Sequence, residues 1–266
     1  MIALILTGGK SRRMGRDKLR IVRPDGMLQA EWLVKLLREA GLEVMLSSRG
    51  DSAPPIDLPV VTDLRPDGGP LAALEAFHSL HHGKPLLLLG GDLFLMDAVT
   101  VTGLIEGRDE TRSATCYANR IDGRPEPLCT IYEAQSSALA TEWLARGEHG
   151  ARHFLAGLDP KILSLRSPAA LDNVNNPRDL HEAFQKLREG VVAKRVTVEH
   201  PLFAGEVTTL ACTVGGLFEE LSFRERWDEA AAGEVPAEWE APVREGDRIV
   251  FPGLTAGPIP PLLPPP

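Results

Sequence analysis

A chain of 266 residues, 43% of them hydrophobic and 25% charged, has the make-up of an ordinary globular protein with room for one α/β domain and a small appendage. Its net charge of −8 excludes general electrostatic capture of nucleic acid, so a phosphate ligand has to be held by local basic residues against the overall field. Cys116, Cys129 and Cys212 lack Cys-x-x-Cys spacing and read as reduced, buried thiols of a cytoplasmic protein, and no apolar run has the length of a signal peptide or a membrane span.

The chain opens on Ile2-Ala3-Leu4-Ile5-Leu6, an apolar run that reads as a buried strand. Thr7, Gly8 and Gly9 follow, then a basic cluster ending in Lys18. Glycines let backbone N–H groups close around an anion, and arginine and lysine supply the countercharge. Trp32, Leu33, Leu36 and Leu37 recur at helical spacing over 29–40, with Gly41 as the stop. Strands are expected at 44–46 and 59–62. A helix opens at Gly69-Pro70, where proline's missing N–H costs nothing, and runs to His78. The run at 85–89 is apolar throughout, as in a strand covered on both faces, and it ends at Gly90-Gly91-Asp92. Strands at 114–118 and 129–132 and helices at 136–145 and 177–188 follow. This alternation predicts a doubly wound, mostly parallel α/β sheet.

Composition shifts near Glu189-Gly190, which sets a domain over 1–189, a second over 191–257 and a proline-rich tail over 258–266. The second region reads strand 195–198, strand 206–211, helix 214–221 and strand 246–251. This order resembles the β-grasp sulfur carriers of molybdopterin and thiamin synthesis. Those carriers end in a free Gly-Gly, whereas Thr255-Ala256-Gly257 continues into proline, so the resemblance implies the fold without carrier chemistry. An unrelated small α+β appendage fits the same pattern. Glu219, Glu220 and Glu225 read as a solvated helix face, and Trp227 and Trp239 as packing residues of this region.

Two familiar phosphate loops do not match the opening motif. The Walker pattern needs a glycine where Leu4 stands, and Gly-x-Gly-x-x-Gly fails because Gly8 and Gly9 are adjacent. What remains, Leu-Thr-Gly-Gly-x-Ser-x-Arg-Met-Gly-x-Asp-Lys over Leu6–Lys18, resembles the signature of the small nucleotidyltransferases, most closely molybdenum cofactor guanylyltransferase. The resemblance extends to about residue 188. It implies Leu6, Thr7, Gly8 and Gly9 around the nucleotide, with Arg13 and Lys18 neutralising charge on the leaving pyrophosphate. Thr62-Asp63, a short loop and Gly69-Pro70-Leu71-Ala72-Ala73 match a second family segment, with Asp63 as nucleotide ligand. Ser47 falls where the family often carries asparagine.

Asp92 follows a buried strand at the sheet's carboxyl edge, where α/β proteins bind ligands. The resemblance implies Asp92 as the Mg²⁺ carboxylate. The bland alternative for Asp92 is the N-cap of a following helix. The family's Cys-Asp-x-Pro is here Gly91-Asp92-Leu93-Phe94, without the proline. Acceptor-binding residues carry over as Glu126 and Pro127, and as Asn173 and Asn175 of an Asn-Val-Asn-x-Pro segment. The implied reaction is GMP transfer from GTP to molybdenum-molybdopterin, beside other proteins of molybdenum cofactor biosynthesis, with no nucleic-acid or membrane partner. Two further readings remain at this level: a cytidylyltransferase for the same cofactor or a sugar or alcohol phosphate, and a non-catalytic nucleotide sensor or scaffold.

Overall fold

In the computed structural model, Ile2–Leu6 form β1, a central strand whose alternating side chains feed two separate cores. The structure describes residues 1–7, 14–50, 53–65, 67–200, 203–221 and 241–251. The remaining strands of the main sheet are β2 (Glu43–Ser48), β3 (Val60–Thr62), β4 (Leu86–Gly90), β5 (Ala114–Ala118), β6 (Pro125–Tyr132) and β7 (Lys161–Leu163). Their order is β3-β2-β1-β4-β6-β5-β7. All neighbours are parallel except β6, which runs antiparallel to both β4 and β5. This is the doubly wound, mostly parallel sheet that the alternating pattern predicts. The all-apolar β4 is fully buried, as expected, but pairs antiparallel with β6 on one side.

Helices cover both faces. Ala3 and Ile5 face α1 (Gln29–Glu39) and α3 (Ala98–Glu106) through Leu33, Leu36, Leu37, Val101 and Leu104. Ile2 and Leu4 face α2 (Pro70–Leu80), α4 (Ala134–Ala145) and α5 (Ala151–Gly157) through Leu71, Leu74, Phe77, Leu144 and Phe154. Burying a leucine- or phenylalanine-sized side chain contributes about 1.5–3 kcal/mol, so these two layers carry most of the sheet's stability. The α1 helix stops at Gly41, whose φ of 79° is the left-handed conformation that favours glycine. The helix α3, the helix α5 and the strand β7 were not foreseen in the sequence, and β6 begins four residues before the strand predicted at 129–132.

The chain divides into two compact units between Asn175 and Asn176. The boundary expected at 189–191 lies at the far end of the helix α6 (Pro177–Glu189), which falls in the second unit. There it accompanies β8 (Lys194–His200), β9 (Phe203–Thr209), α7 (Val214–Glu220) and β10 (Arg248–Val250). The strands run β10-β8-β9, with β8–β9 antiparallel and β10 parallel to β8. Val196, Val198, Leu217, Phe218, Ile249 and Phe251 form the core of this unit. Glu220 is not a solvated face residue as expected: its carboxylate accepts from the Thr209 hydroxyl at 2.6 Å and the Leu210 amide at 3.2 Å. Glu225, Trp227, Trp239, Gly257 and the proline-rich tail lie outside the described residues.

Candidate active site

The carboxyl edge of β1 and β4 brings together three side chains distant in sequence. Lys18 opens a 3-10 turn (Lys18–Arg20) whose N-cap, Asp17, accepts from the Leu19 amide at 3.0 Å. The Lys18 ammonium lies 3.3 Å from Asp92 Oδ2 and donates to Asn175 Oδ1 at 3.1 Å. Lys18 and Asp92 are both largely buried, with side-chain exposures of 17% and 18%, so their attraction is screened less than that of a surface pair.

Asp92 sits on the turn after β4, and Gly91 is what lets the turn pass. A Cβ there would lie 2.9 Å from the Leu6 carbonyl oxygen and 3.0 Å from the Leu19 side chain. The Asp92 carbonyl accepts from the Val174 amide at 3.1 Å, which brings the Asn173–Asn175 segment beside it. The helix-cap reading of Asp92 is overturned. Asp97 caps α3, accepting from the Thr100 amide at 2.8 Å. Asp92 Oδ1 is instead buried without a hydrogen-bond partner among the described residues, and a Cβ on Gly90 would lie 2.7 Å from it. A buried carboxylate oxygen left open, in a space kept clear by glycine, fits a hard divalent cation, which needs only one or two protein carboxylates beside phosphate and water oxygens. Among the described residues no group of three or more His, Cys, Asp or Glu side chains has metal-binding geometry.

The neighbouring strand ends form a second cluster. Thr7 donates its amide to the Ser47 carbonyl at 3.0 Å and its hydroxyl to the same oxygen. The Ser47 hydroxyl bonds Asp63 Oδ1 at 3.1 Å, and the Asp63 amide bonds the Ser48 carbonyl at 2.8 Å. Leu6, Thr7, Ser47 and Asp63 thus line one continuous edge over β1, β2 and β3. The loop after Asp63 is tied to α2 by a two-pronged Arg65–Glu75 pair, both oxygens within 2.9–3.2 Å of the guanidinium. Gly8, Gly9 and Arg13 lie outside the described residues.

The expected acceptor residues divide into two sets. Glu126 is 2% exposed, and its carboxylate accepts from the Leu128 amide at 3.2 Å and Asn119 at 3.3 Å, with Arg152 at 3.6 Å. Burial pushes its carboxyl above the usual range, opposed by those partners and reinforced by the charge of Asp92. Pro127 is buried, and its carbonyl accepts from the Tyr132 hydroxyl at 3.2 Å. Asn173 is half-buried and Asn175 exposed, beside Asp172, which a two-pronged Arg120 pair at 2.8 Å holds to the loop before β6.

Sequence reasoning missed the scaffold of Arg23, Gln29 and Trp32 behind Asp92. Gln29 shares the buried stripe of α1 with Leu33, Leu36 and Leu37. A polar residue on that stripe was the available signal, because a buried amide has to find partners.

A doubly wound, mostly parallel sheet with a lysine–carboxylate pair across the β1–β4 edge is the arrangement of a nucleotide-handling α/β enzyme. Residues 3–162 match the family model of the MobA-like NTP transferase domain, and the chain belongs to that family. It is 30% identical over 189 residues to the probable molybdenum cofactor guanylyltransferase of Carboxydothermus hydrogenoformans, covering 68% of this chain and 93% of that one. It is also 30% identical over 182 residues to the molybdenum cofactor biosynthesis bifunctional protein of Synechocystis sp., covering 67% of this chain and only 52% of that relative, whose length it therefore spans by about half. The crystal structure of molybdopterin-guanine dinucleotide biosynthesis protein A from Archaeoglobus fulgidus shares the fold with a TM-score of 0.60 at 18% identity, over 71% of this chain and all of that one. No described helix is long and apolar enough to cross a membrane.

Proposed function

We propose that this chain transfers GMP from GTP to molybdenum-molybdopterin and releases pyrophosphate. The observation that carries the reading is the Lys18–Asp92 pair at the sheet edge, with Asp92 Oδ1 buried and without a hydrogen-bond partner among the described residues. A terminal phosphate oxygen of the pterin attacks the α-phosphorus of GTP, a P–O bond forms, and the bond to the β-phosphate oxygen breaks. The acceptor is already an anion, so the protein's task is position and charge. Lys18 faces the negative charge that grows on the leaving pyrophosphate. Arg13 and the Gly8-Gly9 backbone are assigned the same task from the motif alone. Asp92 would hold Mg²⁺, which when bound offsets the charge of the phosphates during attack. Leu6, Thr7, Ser47 and Asp63 are assigned to the nucleoside, and Glu126, Pro127, Asn173 and Asn175 to the pterin side. Because Glu126 is buried with both oxygens engaged, its role there is to shape the wall rather than to touch the acceptor.

The Ser47 hydroxyl is engaged by Asp63, so the choice between guanine and cytosine is a separate question from nucleotide binding. The second unit is assigned as a β-grasp-like appendage. Supporting this are its β8–β9 hairpin, the helix α7 and a return strand parallel to β8. Partners among other molybdenum cofactor biosynthesis proteins are proposed on the same footing.

The test is pyrophosphate release from each of the four nucleoside triphosphates, with and without molybdenum-molybdopterin. GTP with the acceptor should give the highest rate, and Lys18→Ala should lower kcat/KM by about a hundred- to a thousandfold, the usual effect of removing a contact to developing charge. Full activity in Lys18→Ala, or GTP binding without pyrophosphate release, would overturn the assignment.

A further inference from the structure

The backbone that carries Asp92 follows two glycines, and three donors from one short stretch of chain, two of them buried and Trp32 half-buried, hold it. The Gln29 amide nitrogen donates to the Leu93 carbonyl at 3.2 Å, Arg23 Nη1 to the Phe94 carbonyl at 2.7 Å, and Trp32 Nε1 to the Met96 carbonyl at 3.2 Å. Gln29 is fully buried and Arg23 is 4% exposed. Arg23 is itself fixed from three sides: its Nη1 donates to Gln29 Oε1 at 2.8 Å, its Nε pairs with Asp25 at 3.2 Å, and its guanidinium lies 4.7 Å over the Trp32 ring.

A small hairpin sets these groups in place. Arg23 N bonds the Met27 carbonyl at 2.8 Å, Gly26 turns with a φ of 85°, and the Gln29 amide returns to the Ile21 carbonyl at 2.9 Å. The hairpin begins directly after the Lys18–Arg20 turn. The same few residues that follow Lys18 therefore grip the segment that follows Asp92.

We propose that Arg23 and Gln29 are positioning residues, which lock the 92–96 backbone so that Asp92 stays in register with Lys18. Misplacement of a reacting constellation by about 1 Å costs on the order of a hundredfold in rate, so a clamp on backbone carbonyls is felt in turnover before it is felt in substrate affinity. The inference rests on Asp92 as the metal carboxylate of the proposed reaction.

The test uses the full chain with Gln29→Glu, which keeps an acceptor for Arg23 but replaces the donor to Leu93 with a repelling oxygen. Arg23→Lys is the second variant; it keeps the charge and loses the fixed fork. For each, kcat should fall by about ten- to a hundredfold while KM for GTP moves less than about threefold. Mn²⁺ affinity of the GTP complex, read by electron paramagnetic resonance, should fall by about tenfold, with GTP binding in EDTA unchanged. Amide exchange over 91–97 should speed up while β1 and β4 stay protected.

Wild-type kcat, Mn²⁺ affinity and exchange in a folded variant would overturn the clamp. So would a loss shared evenly between kcat and GTP binding in EDTA, the mark of general destabilisation. Should the wild-type chain release no pyrophosphate at all, the guanylyltransferase reading fails. The exchange and Mn²⁺ readouts then decide on the clamp by themselves.

Discussion

Lys18 meets Asn175 across 157 positions of sequence, and the consequence can be measured. A hydrogen bond to a charged group contributes about 1.5–3 kcal/mol when buried, and less at an exposed side chain such as Asn175. Asn175→Ala should accordingly lower kcat/KM by about three- to tenfold, well short of Lys18→Ala; steady-state pyrophosphate release checks it. Glu126 carries a pH prediction. Burial holds its folded carboxyl above its unfolded value, so the native state keeps the proton more tightly. Stability is then lost as pH rises through the interval between the two values, and below the unfolded value Glu126 costs nothing. The difference in melting temperature between Glu126→Gln and the parent should move in favour of the variant as pH increases from the ordinary carboxylate range; a pH series of thermal scans tests this. At this scale Lys18 and Asp92 were legible because each ends a local signal, a glycine loop and an apolar strand. The grip of Arg23 and Gln29 was not, because nothing local says that carbonyls 64 to 71 residues away need donors.

Among the elements, the turn after β4 is the most tightly specified. Gly91→Ala would push a Cβ against the Leu6 carbonyl and Leu19, and overpacking of this kind costs about 1–3 kcal/mol. The variant should melt lower and lose turnover together, since the same push moves Asp92; calorimetry beside an activity assay distinguishes this from a simple stability defect. The strands also bury the thiols. Burial pushes Cys116 up to about 12 and Cys212 up to about 11, with Cys129 higher still. The folded protein should therefore leave all three untouched by a thiol-selective disulfide reagent at pH 8, and denaturant should expose three. The α1 helix, read from its periodic apolar stripe, and α2, read from its Gly-Pro start, were legible to within a residue or two. The α3 helix was not, because Val99, Thr100, Val101 and Thr102 favour a strand, and tertiary packing of Val101 and Leu104 overrides that preference. Nor was the start of β6, where two prolines argue against a strand; Pro125 is accommodated opposite Ala118 at a break in register.

The chain divides into two compact units, and α6 shows why that division and the composition shift near Gly190 fall at different places. Its N-terminus is written locally, with Asn176 Oδ1 accepting from the Arg178 and Asp179 amides at 2.9 and 3.0 Å and Pro177 in the first turn. Its partner is not, because that depends on Glu182, a charged residue in a polar helix that reads as solvated. The Glu182 carboxylate instead accepts from the Cys212 amide, from the Thr213 amide at 3.1 Å and from the Thr213 hydroxyl at 2.9 Å, with Lys186 at 3.5 Å. It thereby holds the chain where it leaves β9 and enters α7. A Cβ on Gly216 would lie 2.8 Å from it, so glycine is what allows the approach. Removing the carboxylate strands three buried donors and the Lys186 charge, a loss of about 3–5 kcal/mol by the usual cost of breaking a buried charged network. Glu182→Ala should therefore unfold the second unit at much lower urea, with amide protection lost first at Cys212, Thr213 and α7, whereas Glu182→Gln, which keeps one acceptor oxygen, should lose roughly half as much. If hydrogen exchange over these residues is the same in Glu182→Ala as in the parent chain, α6 is not a member of the second unit's cooperative fold, and the boundary belongs at the composition shift near Gly190 after all.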